Sequence, residues 1–205
     1  AIGDPALTLS LPPRETAATG LDAISHCIET YCSPRFNPPA DAIALDGLSR
    51  AVSALERVVH DGQDLASRSE MLMASIEGAL CFQKGLGAVH ALSHPLGALG
   101  VHHGTLNGIL LPVVLQRHAE IMGQRLLPLQ QALARADGGS VECSPSDTLR
   151  SLLGRLGLPS RLRQVMAQRP DGAAIAALAI EEPAHQTNPS PWNEGDYRQV
   201  LEQAW

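Results

Sequence analysis

A chain of 205 residues with 44% hydrophobic and 18% charged residues has enough apolar material for one substantial core and none of the bias of a disordered segment. Its formal charge of −6 comes from acids and bases scattered along the sequence, so no Lys/Arg cluster offers a nucleic acid its phosphate footprint. No window approaches the roughly 18 unbroken apolar residues of a membrane span, and no basic-then-apolar leader is visible at the N-terminus.

With only 3% aromatic residues, the core must be filled by Leu, Ala, Ile, Val and Met. Such residues suit closely packed helices better than sheets, and an all-α domain over residues 1–205 is expected. Cys27, Cys32, Cys81 and Cys143 form no CxxC pair and read as reduced thiols of a cytoplasmic protein.

Pro5, Pro12 and Pro13 make residues 1–13 an extended or turn-like connector. A first helix is predicted from about Arg14 to Cys32, ended by Ser33-Pro-Arg-Phe-Asn-Pro-Pro39. A second, from about Ala40 to His60, carries Ile43 and then Leu45, Leu48, Val52, Leu55 and Val58/Val59 at three- and four-residue steps. A third spans about Leu65 to Phe82 and stops at Lys84-Gly85.

Small residues dominate the stretch from Gly85 to Gly104, which lets backbones approach one another or a ligand closely. Helices then resume over Thr105–Met122, with a kink at Pro112, and over Gln124–Ala136. Ser144-Pro145-Ser-Asp147 starts another that runs to about Leu156. Short helices near Ser160–Gln168, Gly172–Ala179 and Glu194–Ala204 complete the chain.

Asp22 and His26, spaced i, i+4, share one helix face about 5–6 Å apart at Cβ, a separation that suits two ligands of one ion. His90, His94, His102 and His103 place four of the chain's eight histidines within fourteen residues. Ala91 stands where a zincin His-Glu-x-x-His needs its glutamate, which disfavours metalloprotease chemistry. Pro95 disfavours α geometry at His94, so His94 is expected to turn away from the direction of His90. His60-Asp61 offers an HD-type phosphohydrolase pair but reads better as a helix end. His118, on a polar helix face, and His185, in a C-terminal loop, are expected at the surface. Leu92, Leu96, Leu99 and Val101 fit either an aliphatic substrate wall or plain core.

Thr19-Gly-Leu-Asp22-Ala-Ile-Ser-His26-Cys-Ile-Glu29 resembles the TG-x-D-A-x-x-H-x-x-E helix of iron-containing (group III) alcohol dehydrogenases. Gly85-Leu-Gly-Ala-Val-His90-Ala-Leu-Ser-His94-Pro-Leu-Gly97, followed by His103-Gly104, is similar to their G-x-x-H-x-x-x-H-x-x-G and HG signature. The resemblance extends over essentially the whole chain. It implies the helical half of the dehydroquinate-synthase-like, iron-containing alcohol dehydrogenase fold.

The resemblance also implies that Asp22, His26, His90 and His103 bind one divalent ion, Fe(II) or Zn(II), which ligand type alone does not separate. His102 is an adjacent competitor, but His103 carries the motif's following glycine. His94 is implied to be a non-ligand that faces nicotinamide and substrate, and so is both the catalytic and the cofactor-binding candidate. The chemistry implied is metal-assisted hydride transfer between a small alcohol or aldehyde and NAD or NADP.

In that family an N-terminal α/β domain holds the nucleotide. Gly85-x-Gly87 follows a helix and precedes a histidine, so it lacks the strand–turn–helix setting of a dinucleotide fingerprint. The nucleotide-binding domain is therefore expected as a partner outside this chain, and a homo-oligomer is expected as well. A glycerol-dehydrogenase-like enzyme and a non-catalytic metal-binding scaffold are the competing readings, and the Asp22/His26 motif argues against a dehydroquinate synthase.

Overall fold

Proline and side-chain caps set most of the helix starts. In the computed structural model, which describes residues 2–205, Pro13, Pro38 and Pro145 occupy first-turn positions where a missing N–H costs nothing. Asn37, Asp64, Ser144 and Asp171 each accept a first-turn N–H. Asn193 and Asp196 cap each other reciprocally. Nine helices result among the described residues: α1 (Pro13–Cys32), α2 (Pro38–His60), α3 (Leu65–Leu80), α4 (Ala88–Gly97), α5 (His103–Met122), α6 (Leu127–Asp137), α7 (Pro145–Arg155), α8 (Gly172–Glu181) and α9 (Glu194–Ala204). No strand occurs among those residues.

Helix α1 is the hub, packed against α2, α3 and α5, while α4 lies between α5 and α8. Leu21, Ile24, Cys27 and Ile28 of α1 meet Leu48, Leu55 and Val58 of α2 in an aliphatic core. Close approach is possible because small residues stand at the crossings. A Cβ on Gly20 would lie 2.3 Å from Leu55 Cδ1, so this position has no room for a side chain.

Several expectations need correction. Ala1 of the connector lies outside the described residues, and its neighbours include a 3-10 turn, Pro5–Thr8. The buried guanidinium of Arg68 anchors the end of this segment, donating to the Leu11 carbonyl at 3.2 Å and Thr16 Oγ1 at 3.0 Å. The short helix expected near Ser160–Gln168 is only a turn at Leu162–Gln164. Pro95 does not interrupt α4, which continues to Gly97. The helix forgoes only the bond that the nitrogen of residue 95 would have donated to the Ala91 carbonyl. Leu92 and Leu96 are fully buried core residues, whereas Leu99 is exposed.

His118 is buried, not at the surface, because α9 and the segment before it cover that side of α5. Trp192 packs on the His118 ring with centroids 5.4 Å apart, and Arg117 lies over Trp192 while pairing with Asp196 at 2.7 Å. His185 is half-buried in a turn, with Nδ1 3.0 Å from the Tyr197 hydroxyl. Neither ring nitrogen of His118 has a hydrogen-bond partner. Burial therefore depresses its pKa to about 4, with Glu29 opposing the shift and Arg117 reinforcing it.

A histidine held neutral in the fold but free to protonate when unfolded contributes stability that is lost as pH falls from about 6.5 toward about 4. Over this window the wild-type protein should lose on the order of 3 kcal/mol relative to His118→Phe, which keeps a ring against Trp192. Denaturant titrations of both proteins at stepped pH measure the difference; parallel pH profiles would contradict it.

Candidate metal centre

Three helices converge at the middle of α1. Asp22 and His26 project from one face of α1, His90 enters from the first turn of α4, and His103 opens α5. Helix α5 can reach that point because Gly104 lies directly against the α1 backbone: a Cβ there would sit 2.1 Å from the Ala18 carbonyl oxygen. One turn on, a Cβ at Gly108 would meet Leu21 Cδ1 at 2.6 Å. The two helices thus cross with glycine at the contact, and any larger residue would part them.

Asp22 Oδ1 lies 3.5 Å from His26 Nε2, 3.6 Å from His90 Nε2 and 3.4 Å from His103 Nε2. Four ligands held tetrahedrally about 2.1 Å from one ion stand about 3.4 Å apart, and each of the three spacings from Asp22 Oδ1 is of that size. Asp22, His90 and His103 each offer an atom within 4.8 Å of the others. His26 adjoins this trio through Asp22, with its ring stacked on His90 at 4.8 Å and edged by Phe82 at 4.7 Å. His102, by contrast, is the exposed residue preceding α5.

His94 is not among these atoms. Its Nδ1 is 2.8 Å from Glu182 Oε2, and its ring stacks on His103 at 5.4 Å. The departure from His90 arises from this side-chain partner, since the helix itself is unbroken through Pro95. The His94 and His103 side chains are 45% and 37% exposed and that of His90 only 2%, so the cluster is open on the His94 side and closed beneath.

Charge in the closed part is tightly coupled. Burial would raise the Asp22 carboxyl, but the adjacent imidazoles of His103, His90 and His26 outweigh it and hold Asp22 well below the usual carboxylate range. Burial lowers His26 to about 4 against the pull of Asp22. Burial also acts to lower His90, but the neighbouring carboxylates of Asp22 and Glu29 lift it to about 9. The pocket therefore favours a positive charge between its carboxylates.

Three neighbours of the cluster carried no role in the sequence reading. Glu29, the motif's last residue, is fully buried with Oε2 2.6 Å from His90 Nδ1. Asn107 donates to Asp22 Oδ1 at 2.6 Å and lies 3.0 Å from His103 Nε2, while its own Oδ1 is buried without a partner. Its i, i+4 spacing from His103 was the available signal. Glu182 is 88 residues from His94, and no local pattern connects them.

A sequence pattern described as "Fe-containing alcohol dehydrogenase family, C-terminal" matches residues 16–205. The chain belongs to that family. It is 46% identical to 4-hydroxybutyrate dehydrogenase of Cupriavidus necator, over all of this chain and 55% of that protein. It is 34% identical to Alcohol dehydrogenase 4 of Saccharomyces cerevisiae, over all of this chain and 54% of that protein.

Among solved structures, a 1,3-propanediol oxidoreductase superposes with a TM-score of 0.90 at 28% identity, covering 98% of this chain and 55% of the other. An alcohol dehydrogenase from Oenococcus oeni superposes with a TM-score of 0.88 at 27% identity, covering 98% and 54% respectively. The chain thus spans about half the length of the curated relatives it matches. Its all-helical architecture is that of the C-terminal half of iron-containing alcohol dehydrogenases.

The glycine crossing yields a direct comparison. Gly104→Ala should cost about 1–3 kcal/mol by overpacking and weaken divalent-ion uptake, because it pushes His103 away from Asp22. Gly154→Ala in α7, where a Cβ meets nothing within 4 Å, should instead gain up to about 1 kcal/mol from helix propensity. Chemical denaturation and ion titration of the two variants check this, and wild-type behaviour of Gly104→Ala in both would contradict the role given to the crossing.

Proposed function

We propose that this chain is the metal-binding half of an NAD(P)-dependent alcohol dehydrogenase that interconverts an alcohol and an aldehyde or ketone. In this reading residues 1–205 form one helical unit, with residues 1–13 leading into it from a nucleotide-binding domain. That domain, outside this chain, holds most of the NAD or NADP. The four free cysteines, three of them buried, suit a cytoplasmic enzyme.

The observation that carries the proposal is the set of 3.4–3.6 Å spacings from Asp22 Oδ1 to the Nε2 atoms of His26, His90 and His103. We assign these four residues as the ligands of one Fe(II) or Zn(II). Bound there, the ion would supply Lewis-acid polarisation of the substrate oxygen, and a nicotinamide held nearby would supply the hydride chemistry.

The chain's own residues perform the remaining tasks. Asp22 is the one carboxylate among the ligands, so a divalent ion held with three neutral imidazoles keeps part of its charge for the substrate. His26, under Phe82, and His90, in the core, close the inner side against water. His94 and His103 border the open side, where substrate and nicotinamide would meet. With Nδ1 tied to Glu182, His94 retains Nε2 as its free polar atom for either molecule.

In the complete enzyme, His94→Ala should lower kcat on the order of 100-fold while leaving metal content near that of the wild type. His90→Ala should empty the site. Metal analysis alongside steady-state kinetics separates the two roles, and equal metal loss in both variants would overturn the division.

A further inference from the structure

The carboxylate of Glu29 is buried beneath the cluster, and among the described residues His90 is the only cationic group paired with it. Oε1 accepts the Val89 N–H at 2.7 Å. Oε2 lies 2.6 Å from His90 Nδ1 and 3.3 Å from the His90 backbone nitrogen. The adjacent Ala88 N–H goes to Asn188 Oδ1 at 3.2 Å. Gly87 leaves room for this arrangement, since a Cβ there would stand 2.8 Å from Glu29 Oε1. The first-turn N–H groups of α4, which have no partner within the helix, are thus shared between one carboxylate and one carboxamide.

We propose that Glu29 is a positioning residue that keeps the His90 proton on Nδ1 and turns the Nε2 lone pair toward Asp22, where a divalent ion would bind. The inference rests on the metal-centre reading given above. An ionised carboxylate only accepts hydrogen bonds. The imidazole nitrogen facing Oε2 must therefore be the donor. The other nitrogen, Nε2, lies 3.6 Å from Asp22 Oδ1 and is left with its lone pair on the side of His26 and His103. The helix start fixes the backbone donors, so the carboxylate cannot rotate away without abandoning them. The ring orientation of His90 is thereby tied to the docking of α4 on α1.

Glu29→Gln separates positioning from mere capping. An amide offers one accepting oxygen and one donating nitrogen, in nearly the same volume. If the oxygen stays on the Val89 N–H, the amide nitrogen faces Nδ1 and drives the His90 proton to Nε2, the atom needed for the ion. If the oxygen turns to His90 instead, two buried donors face each other at Val89. Asn188→Ala, in contrast, removes a capping acceptor from the same turn without touching His90.

The experiment uses the complete protein loaded with Zn(II), with nitrogen-15-labelled histidine observed by NMR and zinc affinity measured by competition with a chelator. In the wild type, His90 should carry its proton on Nδ1 and show a zinc-perturbed Nε2. Glu29→Gln should lose the Nδ1 proton signal and bind zinc roughly 10–100-fold more weakly. Asn188→Ala should lower thermal stability yet keep both the signal and the affinity.

Zinc affinity equal to wild type in Glu29→Gln, or an equal loss in both variants, would overturn the proposal. A wild-type His90 with its proton on Nε2 would overturn it too, even if Glu29→Gln failed to fold. If zinc perturbs none of the four assigned side chains while the Nδ1 proton remains visible, the metal-centre reading fails and the Glu29–His90 bond stands.

Discussion

Glu29 places a negative charge in the interior, where α1 and the start of α4 meet. Burying a carboxylate costs several kcal/mol unless it is fully hydrogen-bonded. Here bonds from the His90 ring and the Val89 N–H lower its pKa despite burial, which acts to raise it. Those bonds require the first turn of α4, which starts at Ala88, to lie against Glu29 of α1. The same contact brings the His90 ring into stacking distance of His26 and within reach of Asp22. The docking of one helix and the aim of one imidazole are therefore a single event.

A second contact brings in the third helix. Gly104 rests on the Ala18 carbonyl and Asp22 follows Ala18 by one turn, so the crossing that packs α5 on α1 also sets His103 against Asp22. Around these contacts the core is aliphatic and unremarkable in chemistry, with Leu21, Leu92, Leu106 and Ile109 almost fully enclosed. The polar cluster thus sits at one edge of a dry interior. It is closed beneath by His90 and Glu29 and most open at His94 and His103. Low dielectric on the closed side strengthens the electrostatics, while the open side leaves room for reactants.

Much of this arrangement could be read from short-range pattern. Asp22 and His26 share a helix face by spacing alone, the prolines and caps at residues 37–38 and 144–145 mark helix starts, and the small residues around Gly104 announced a close approach. What escaped depends on residues far apart in the chain. His118 looked exposed from its own helix, and only Trp192 and α9 make it buried. Pro95 suggested a broken helix, but His94 owes its direction to Glu182, which arrives from the far end of α8. Asn107 lay on the His103 face at helical spacing, yet its contact with Asp22 becomes visible only once α1 and α5 cross.

The central claim is that one divalent ion belongs between Asp22, His26, His90 and His103. Crystals of the complete protein, measured by anomalous scattering on both sides of the iron and zinc absorption edges, test it most directly. One peak per chain is expected, about 2.0–2.2 Å from Asp22 Oδ1 and the three Nε2 atoms. A peak seated instead on His94 and Glu182, or one that recruits His102 in place of His103, would contradict it.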